Sequence, residues 1–209
     1  MDQRWEIYEL HINGTEELGH MTRIGIIVGS TRPGRRGEEV ANWVLKVASE
    51  RKSATYEIID LADFELPILD EPIAAAMGQN YQNAHTNEWS AAIQSFDGYV
   101  IVTPEYNHGP TGALKNAIDY LYHEWRDKAV GFVGYGLLGA TRAVEQLRLI
   151  TAELYLAGVR DQVALSLFTD FDSDGNLNPG DHHEPTLTKL LEQVEAWTNA
   201  LAPLRTSAK

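Results

Sequence analysis

From residue 22 onward, short unbroken apolar runs alternate with longer stretches in which apolar residues recur every three or four positions. Arg23 to Val28 (RIGIIV) is rich in β-branched residues without polar alternation, the pattern of a strand covered on both faces. Glu38 to Glu50 places Val40, Trp43, Val44 and Val47 at helical spacing after a Gly/Pro loop, which predicts an amphipathic helix. Tyr56 to Asp60 predicts a second strand, and the prolines of LADFELPILDEP exclude regular helix from the loop behind it. A helix is expected over Asn83 to Phe96, then a strand over Tyr99 to Thr103 stopped by Pro104. The next helix starts near Thr111 and carries Leu114, Ile118, Leu121 and Tyr122 on one stripe. Ala129 to Tyr135 predicts strand four, Ala140 to Ala157 the longest helix, Val163 to Phe168 strand five, and Pro185 to Leu201 a last helix.

Strands alternating with helices, through connections long enough for right-handed crossovers, predict an α/β fold with one doubly wound five-stranded parallel sheet. The common open order for five strands is 2-1-3-4-5. It puts the switch point between strands one and three, and a ligand at the carboxyl ends around that point. Residues 1–20 are polar with scattered aromatics and no sustained period. Residues 1–21 are therefore expected to form an extension or arm with Met21 as the natural start, leaving 22–209 as a single domain.

Composition narrows the partner. Of 209 residues, 44% are apolar, enough to bury a core. Against 30 Asp and Glu stand 17 Lys and Arg, a formal charge of -13 that disfavours a nucleic acid or an anionic membrane and leaves a small molecule. There is no cysteine, which excludes disulfides, thiolate metal sites and a Cys nucleophile. No run reaches the ~18 apolar residues of a membrane span, and residues 1–20 lack a signal-peptide core, so a cytoplasmic location is expected.

Three loops meet at the expected switch point. GSTRPGRRG, Gly29 to Gly37, puts Arg32, Arg35 and Arg36 beside the hydroxyls of Ser30 and Thr31 at a helix N-terminus, where N–H groups, the helix dipole and guanidinium forks favour a phosphate. Arg35 and Arg36 stand where a P-loop needs Lys and Ser or Thr, and the glycine spacing is not that of a dinucleotide fingerprint. TPEYNHGPTG, after strand three, presents Glu105, Tyr106 and Asn107 to the crevice and suits the edge of a flat heterocycle. GYGLLGATR, after strand four, offers Gly134, Gly136 and Gly139 for close backbone approach, with Tyr135 able to lie against a ring.

These residues resemble the NADPH-dependent FMN reductase family of flavodoxin-like proteins, which includes flavin, quinone, azo-dye and chromate reductases. The resemblance covers about Thr22 to Leu201. GSTRPGRRG is similar to the family's phosphate loop, DLADFELPILDEP to its loop after strand two, and VTPEYNHGPTGALKNAIDYLYHEW to its signature. It implies a flavodoxin-like FMN flavoprotein, an oxidoreductase that moves hydride from NADPH or NADH through FMN to a flavin, quinone or azo acceptor by a ping-pong mechanism. Carried over residue by residue, it implies that Ser30, Thr31, Arg32, Arg35, Arg36 and Gly37 hold the phosphate. Pro104, Glu105, Tyr106 and Asn107 would contact the isoalloxazine ring, with Gly134, Tyr135, Gly136 and Gly139 on its other border. Because the flavin carries the chemistry, no catalytic side chain is required. Tyr106, His108 and Tyr135 are the substrate-face candidates. Arg35 replaces a small hydroxyl residue of many members, and His108 a Ser or Tyr.

The resemblance also implies a homodimer or a dimer of dimers. The expected helix from Leu114 to Trp125 has more aromatics than one stripe needs, and either a second subunit covers Tyr120, Tyr122 and Trp125 or they are half-buried in the monomer. The alternative function is a flavodoxin-type electron carrier or a flavin-binding regulatory module. Three arginines in the phosphate loop favour the enzyme. Asp170-x-Asp172-x-Asp174-Gly175, with Leu177 and Asp181, has calcium-loop spacing, but a strand and not a helix leads into it. Asp181-His182-His183-Glu184 reads as solvated loop, and no metal is expected.

Overall fold

The structure, a computed structural model, describes residues 21–207; the reading of residues 1–20 as an extension lies outside them. Strands β1 (Thr22–Val28), β2 (Ala54–Asp60), β3 (Gly98–Pro104), β4 (Lys128–Gly136) and β5 (Leu156–Ser166) form one parallel sheet in the order β2-β1-β3-β4-β5. The order is the expected one. Central β3 is buried along its whole length, and the edge strands β2 and β5 interleave buried and more exposed positions. That contrast is why the central strands read as unbroken apolar runs.

Helices α1 (Gly37–Ala48) and α5 (His183–Ser207) cover one face, where Val40, Val44, Leu187 and Leu190 share a core with Ile24, Ile26 and Val100. The other face is covered by α2 (Ala84–Gln94), α3 (Gly112–Asp119) and α4 (Thr141–Glu153), with Trp89, Ile93, Leu114 and Leu147 packed on Ile27, Ile101 and Phe132. Winding reverses after the first crossover, so β1 and β3 part at their carboxyl ends and open the crevice there.

Three boundaries differ from expectation. The helix after β3 stops at Asp119, and a short 3-10 turn at His123–Trp125 follows. The buried Glu124 carboxylate accepts from Tyr81, Ser90 and the Tyr122 N–H, which turns the chain inward and seats the Trp125 indole on the Ile118 carbonyl. Tyr120 and Trp125 are consequently buried within the subunit and Tyr122 is half-buried, so these aromatics find cover without a partner. The helix expected to reach Ala157 ends at Glu153, because Tyr155 takes a left-handed φ of 55° and sends the chain into β5 seven residues before Val163. Backbone pairing of Leu156–Gly158 with Lys128–Val130 outweighs the weak strand propensity of Ala157 and Gly158. The last helix continues through Pro203 to Ser207.

Candidate functional site

The loop leaving β1 starts as an extension of the sheet, with the Gly29 N–H on the Val102 carbonyl at 2.8 Å. It ends at α1, whose N-cap is Arg36 and whose first N–H groups receive no side-chain cap. By contrast, α3 is capped by Thr111, which accepts from the Leu114 N–H and donates to the Gly29 carbonyl, tying the two loops together. Ser30 is buried, its hydroxyl 3.0 Å from the Tyr106 hydroxyl.

The three arginines are placed differently. Arg35 lies 2.5 Å from both Asp60 and Glu38, so two carboxylates neutralise it. Arg36 donates to the Gly175 carbonyl at 2.6 Å and lies over the Phe171 ring at 4.9 Å. Arg32 is exposed and makes no ion pair among the described residues.

After β3 the chain folds into a two-residue turn. Tyr106 and Gly109 exchange backbone hydrogen bonds of 3.0 and 3.1 Å, and Asn107 and His108 take left-handed φ values of 50° and 74°, as a primed turn requires. Gln146 on α4 donates to the His108 carbonyl at 2.6 Å. Asn107 and His108 are exposed at the tip; Tyr106 is exposed at the rim. Glu105 borders the crevice while its carboxylate engages α4. Its carboxylate accepts from the Arg142 and Ala143 N–H groups at 3.1 and 3.3 Å and pairs with the Arg142 guanidinium, capping α4. Burial acts to raise its pKa, but the hydrogen bonds from Arg142 and Ala143 hold it below the ordinary carboxylate value. Glu105 therefore locks the loop after β3 to the start of α4 and satisfies N–H groups of its first turn.

The glycines after β4 serve packing as much as approach. A Cβ at Gly134 would overlap the Gly139 carbonyl oxygen, and one at Gly139 would strike Ala164; of the three, only Gly136 would accept a Cβ without a clash, 3.6 Å from the Ala140 nitrogen. Tyr135 is buried, not exposed on a face: its ring joins the α1 side of the core and its hydroxyl reaches toward Gly37. Burial, and then the nearby Tyr106, raise its hydroxyl pKa. Tyr135, named for the substrate face, thus borders the cavity while only 5% exposed.

A cavity of about 160 Å³ brings together Arg32, Arg35 and Arg36 of the β1 loop, Pro104, Glu105 and Tyr106 after β3, and Tyr135, Gly136, Leu137 and Leu167. Thr31 faces a separate cavity between the β1 loop and α3. A larger cavity of about 550 Å³ opens at the amino ends of β3 and β4, around Asp97, Glu124, Lys128 and Arg205, remote from the convergent loops.

Residues 22–170 match the NADPH-dependent FMN reductase family. The chain belongs to that family. An NAD(P)H-dependent FMN reductase of a Nectria species is 45% identical over 132 residues, which span 61% of this chain and 66% of that protein. A quinone reductase of Pseudomonas putida is 30% identical over 197 residues, 86% of this chain and 96% of that one. Among solved structures, the NAD(P)H:acceptor oxidoreductase FerB of Paracoccus denitrificans superposes with a TM-score of 0.63 at 21% identity, over 87% of this chain and 98% of that one, a likeness of fold. As a member of the FMN reductase family the protein is an NAD(P)H-dependent oxidoreductase that uses FMN.

The residues present fit a phosphorylated flavin. The α1 N-terminus lacks a side-chain cap, and the buried Arg35 Nε, on the same cavity, has no hydrogen-bond partner. Three structural contributors escaped the sequence reading. Thr111 was legible as a helix cap before GALKNAI, whereas nothing in the sequence marks Arg142 or Gln146 as ties to the loop after β3.

Proposed function

We propose that this FMN reductase passes two electrons from NAD(P)H to a quinone, free flavin or azo compound in a ping-pong sequence, each substrate using the same exposed side of the cofactor. The carrying observation is the convergence, at the β1/β3 switch point, of an uncapped helix N-terminus, the three arginines of the β1 loop and Pro104–Tyr106 around one cavity. The kinship with a Pseudomonas putida quinone reductase along nearly all of its length supports the acceptor class.

Bound FMN supplies the hydride chemistry. The chain's own residues bind and orient. The α1 N–H groups, with Arg32 and Arg36, meet the phosphate. Arg35 braces the loop against Asp60. Pro104 and the Tyr106–Gly109 turn border the ring, Gly136 gives it backbone access, and Tyr106 and His108 line the open side. Ser30 acts through Tyr106, and Gly134 and Gly139 act by shaping the loop after β4. Residues 22–209 are read as one FMN-binding domain. A homodimer is proposed on the family resemblance, and sedimentation equilibrium tests it.

Purified protein is expected to carry flavin absorbance that bleaches with NADPH and returns with a quinone, giving parallel double-reciprocal plots. Intersecting plots overturn the ping-pong sequence. Reoxidation only by another protein favours the electron carrier, and failure to bind FMN overturns the site.

A further inference from the structure

The Asp170–Asp181 segment has the spacing of a calcium loop, yet it is closed on itself. Asp172 accepts from the Asp174 and Asn176 N–H groups and from the Asn176 amide at 2.8 to 3.0 Å, and the Gly175 N–H reaches the Asp172 carbonyl. Phe171 and Leu177 pair across the base, so residues 171–177 form a small hairpin. Asp170 is likewise engaged, by the Ser166 and Gly180 N–H groups and by His183 at 3.0 Å. No group of acidic and His side chains among the described residues is arranged to hold a metal.

What the hairpin presents outward is a carbonyl and a ring, both to Arg36. The Gly175 carbonyl takes the guanidinium at 2.6 Å, and Phe171 lies beneath it at 4.9 Å. Gly175 adopts φ 88°, and a Cβ there would lie 2.5 Å from an Arg36 terminal nitrogen, so a side chain at 175 evicts the arginine. The carboxylate one turn along α1, Glu39, is occupied by the Leu177 N–H at 2.6 Å. Arg35 is held by two carboxylates and contributes little net charge, whereas Arg36 is held by groups that carry none. A guanidinium fixed by a carbonyl and a ring keeps its full positive charge and spare donors for a phosphate.

We propose that the 171–177 hairpin is a positioning element for the cofactor phosphate, holding Arg36 at the α1 N-terminus with its charge uncompensated. The proposal rests on the FMN reading above. It makes Gly175 and Phe171 positioning residues, in a loop distant in sequence from the phosphate loop.

The test compares FMN with riboflavin, which lacks the phosphate, by quenching of flavin fluorescence on the full-length apoprotein. Gly175→Ala is expected to raise the FMN Kd about tenfold or more, the scale of one lost charge-assisted hydrogen bond, and to leave riboflavin unchanged. The FMN preference of the wild type should shrink with added salt more than that of the variant. Phe171→Leu, which keeps the backbone of the hairpin, is expected to act in the same direction and serves if Gly175→Ala does not fold. Arg36→Gln should match or exceed both. Equal weakening of FMN and riboflavin reveals a merely structural role and overturns the proposal, as does an unchanged FMN Kd. Wild-type protein that binds neither flavin overturns the functional reading itself, and the hairpin's role falls with it.

Discussion

Glu105→Gln separates the locking role of this side chain from its shape. The carboxylate accepts two N–H groups at the start of α4, at 3.1 and 3.3 Å, and pairs with Arg142. Glutamine keeps one acceptor oxygen but removes the charge. The loss combines a charge at a partly buried helix N-terminus, about 1 kcal/mol, with the weakening of charge-assisted hydrogen bonds by a similar amount. Arg142 is itself substantially solvated, so its ion pair adds little. A total near 2 kcal/mol corresponds to a fall in Tm of about 4 to 8 °C for a domain of this size. Melting of the apoprotein at pH 7, followed by circular dichroism, measures it. The sign with pH is also fixed. A carboxylate whose folded pKa is depressed contributes stability above its unfolded value, about 4.3, and loses it as pH falls through the lower folded value. The gap between wild type and Glu105→Gln should therefore close below about pH 4. Equal Tm values at pH 7, or a gap that persists undiminished to pH 3, refute the assignment.

Burial lowers the Lys128 ammonium to about 7 at the far end of the sheet, where it donates to the Ile93 carbonyl and the Tyr99 hydroxyl. Between about pH 7 and the unfolded value near 10.4 the unfolded chain holds a proton that the folded chain lacks, so this group makes stability rise with pH. Lys128→Met removes that slope, and urea midpoints at pH 7 and 9 show whether it has gone. Gly37→Ala places a methyl 2.9 Å from the Tyr135 hydroxyl and should lower Tm by several degrees; Tyr135→Phe in the same chain should restore part of the loss, and strict additivity of the two changes contradicts the contact. Deleting residues 1–20 should leave NADPH oxidation intact, and loss of activity contradicts their reading as an arm.

The strand order was legible because the two kinds of sequence pattern follow directly from position in the sheet. β3 is enclosed by helices on both faces and had to be apolar throughout, and the helices had to show a stripe. Boundaries were less legible where the deciding contact lies far away in sequence. The end of α3 depends on Glu124 being met by Tyr81 and Ser90, and the start of β5 depends on β4. The site divides in the same way. The residue types that crowd it were visible as three loops, but the direction of each side chain was not. GSTRPGRRG shows three cations, but Glu38 and Asp60 beside Arg35, and Gly175 and Phe171 beside Arg36, decide which of these charges is compensated by a neighbour. Tyr135 reads as a ring on a glycine loop; its burial follows from Gly37 having no side chain to keep it out.

Each of these loops is tied to a neighbouring element and not only to itself. Thr111 holds the β1 loop to α3, Ser30 meets Tyr106, Glu105 holds α4, Gln146 holds the 107–108 turn, and the 171–177 hairpin holds Arg36. Opening any loop breaks at least one such bond, about 1 kcal/mol each and more where a charge is involved. On the proposed reading, a cofactor entering this end meets a formed site and spends little binding energy on ordering it. The rim beyond Gly136 has the opposite character, because Leu137, Leu138 and Phe168 are exposed apolar side chains. An acceptor docked there on the proposed reading is selected by flatness and apolar area, and such contacts discriminate between relatives by only about 1 to 3 kcal/mol per methylene. On that reading, this division of the site predicts tight cofactor retention together with a broad acceptor range, and a panel of quinones of graded apolarity should show kcat/KM rising smoothly with it, without a sharp cut-off.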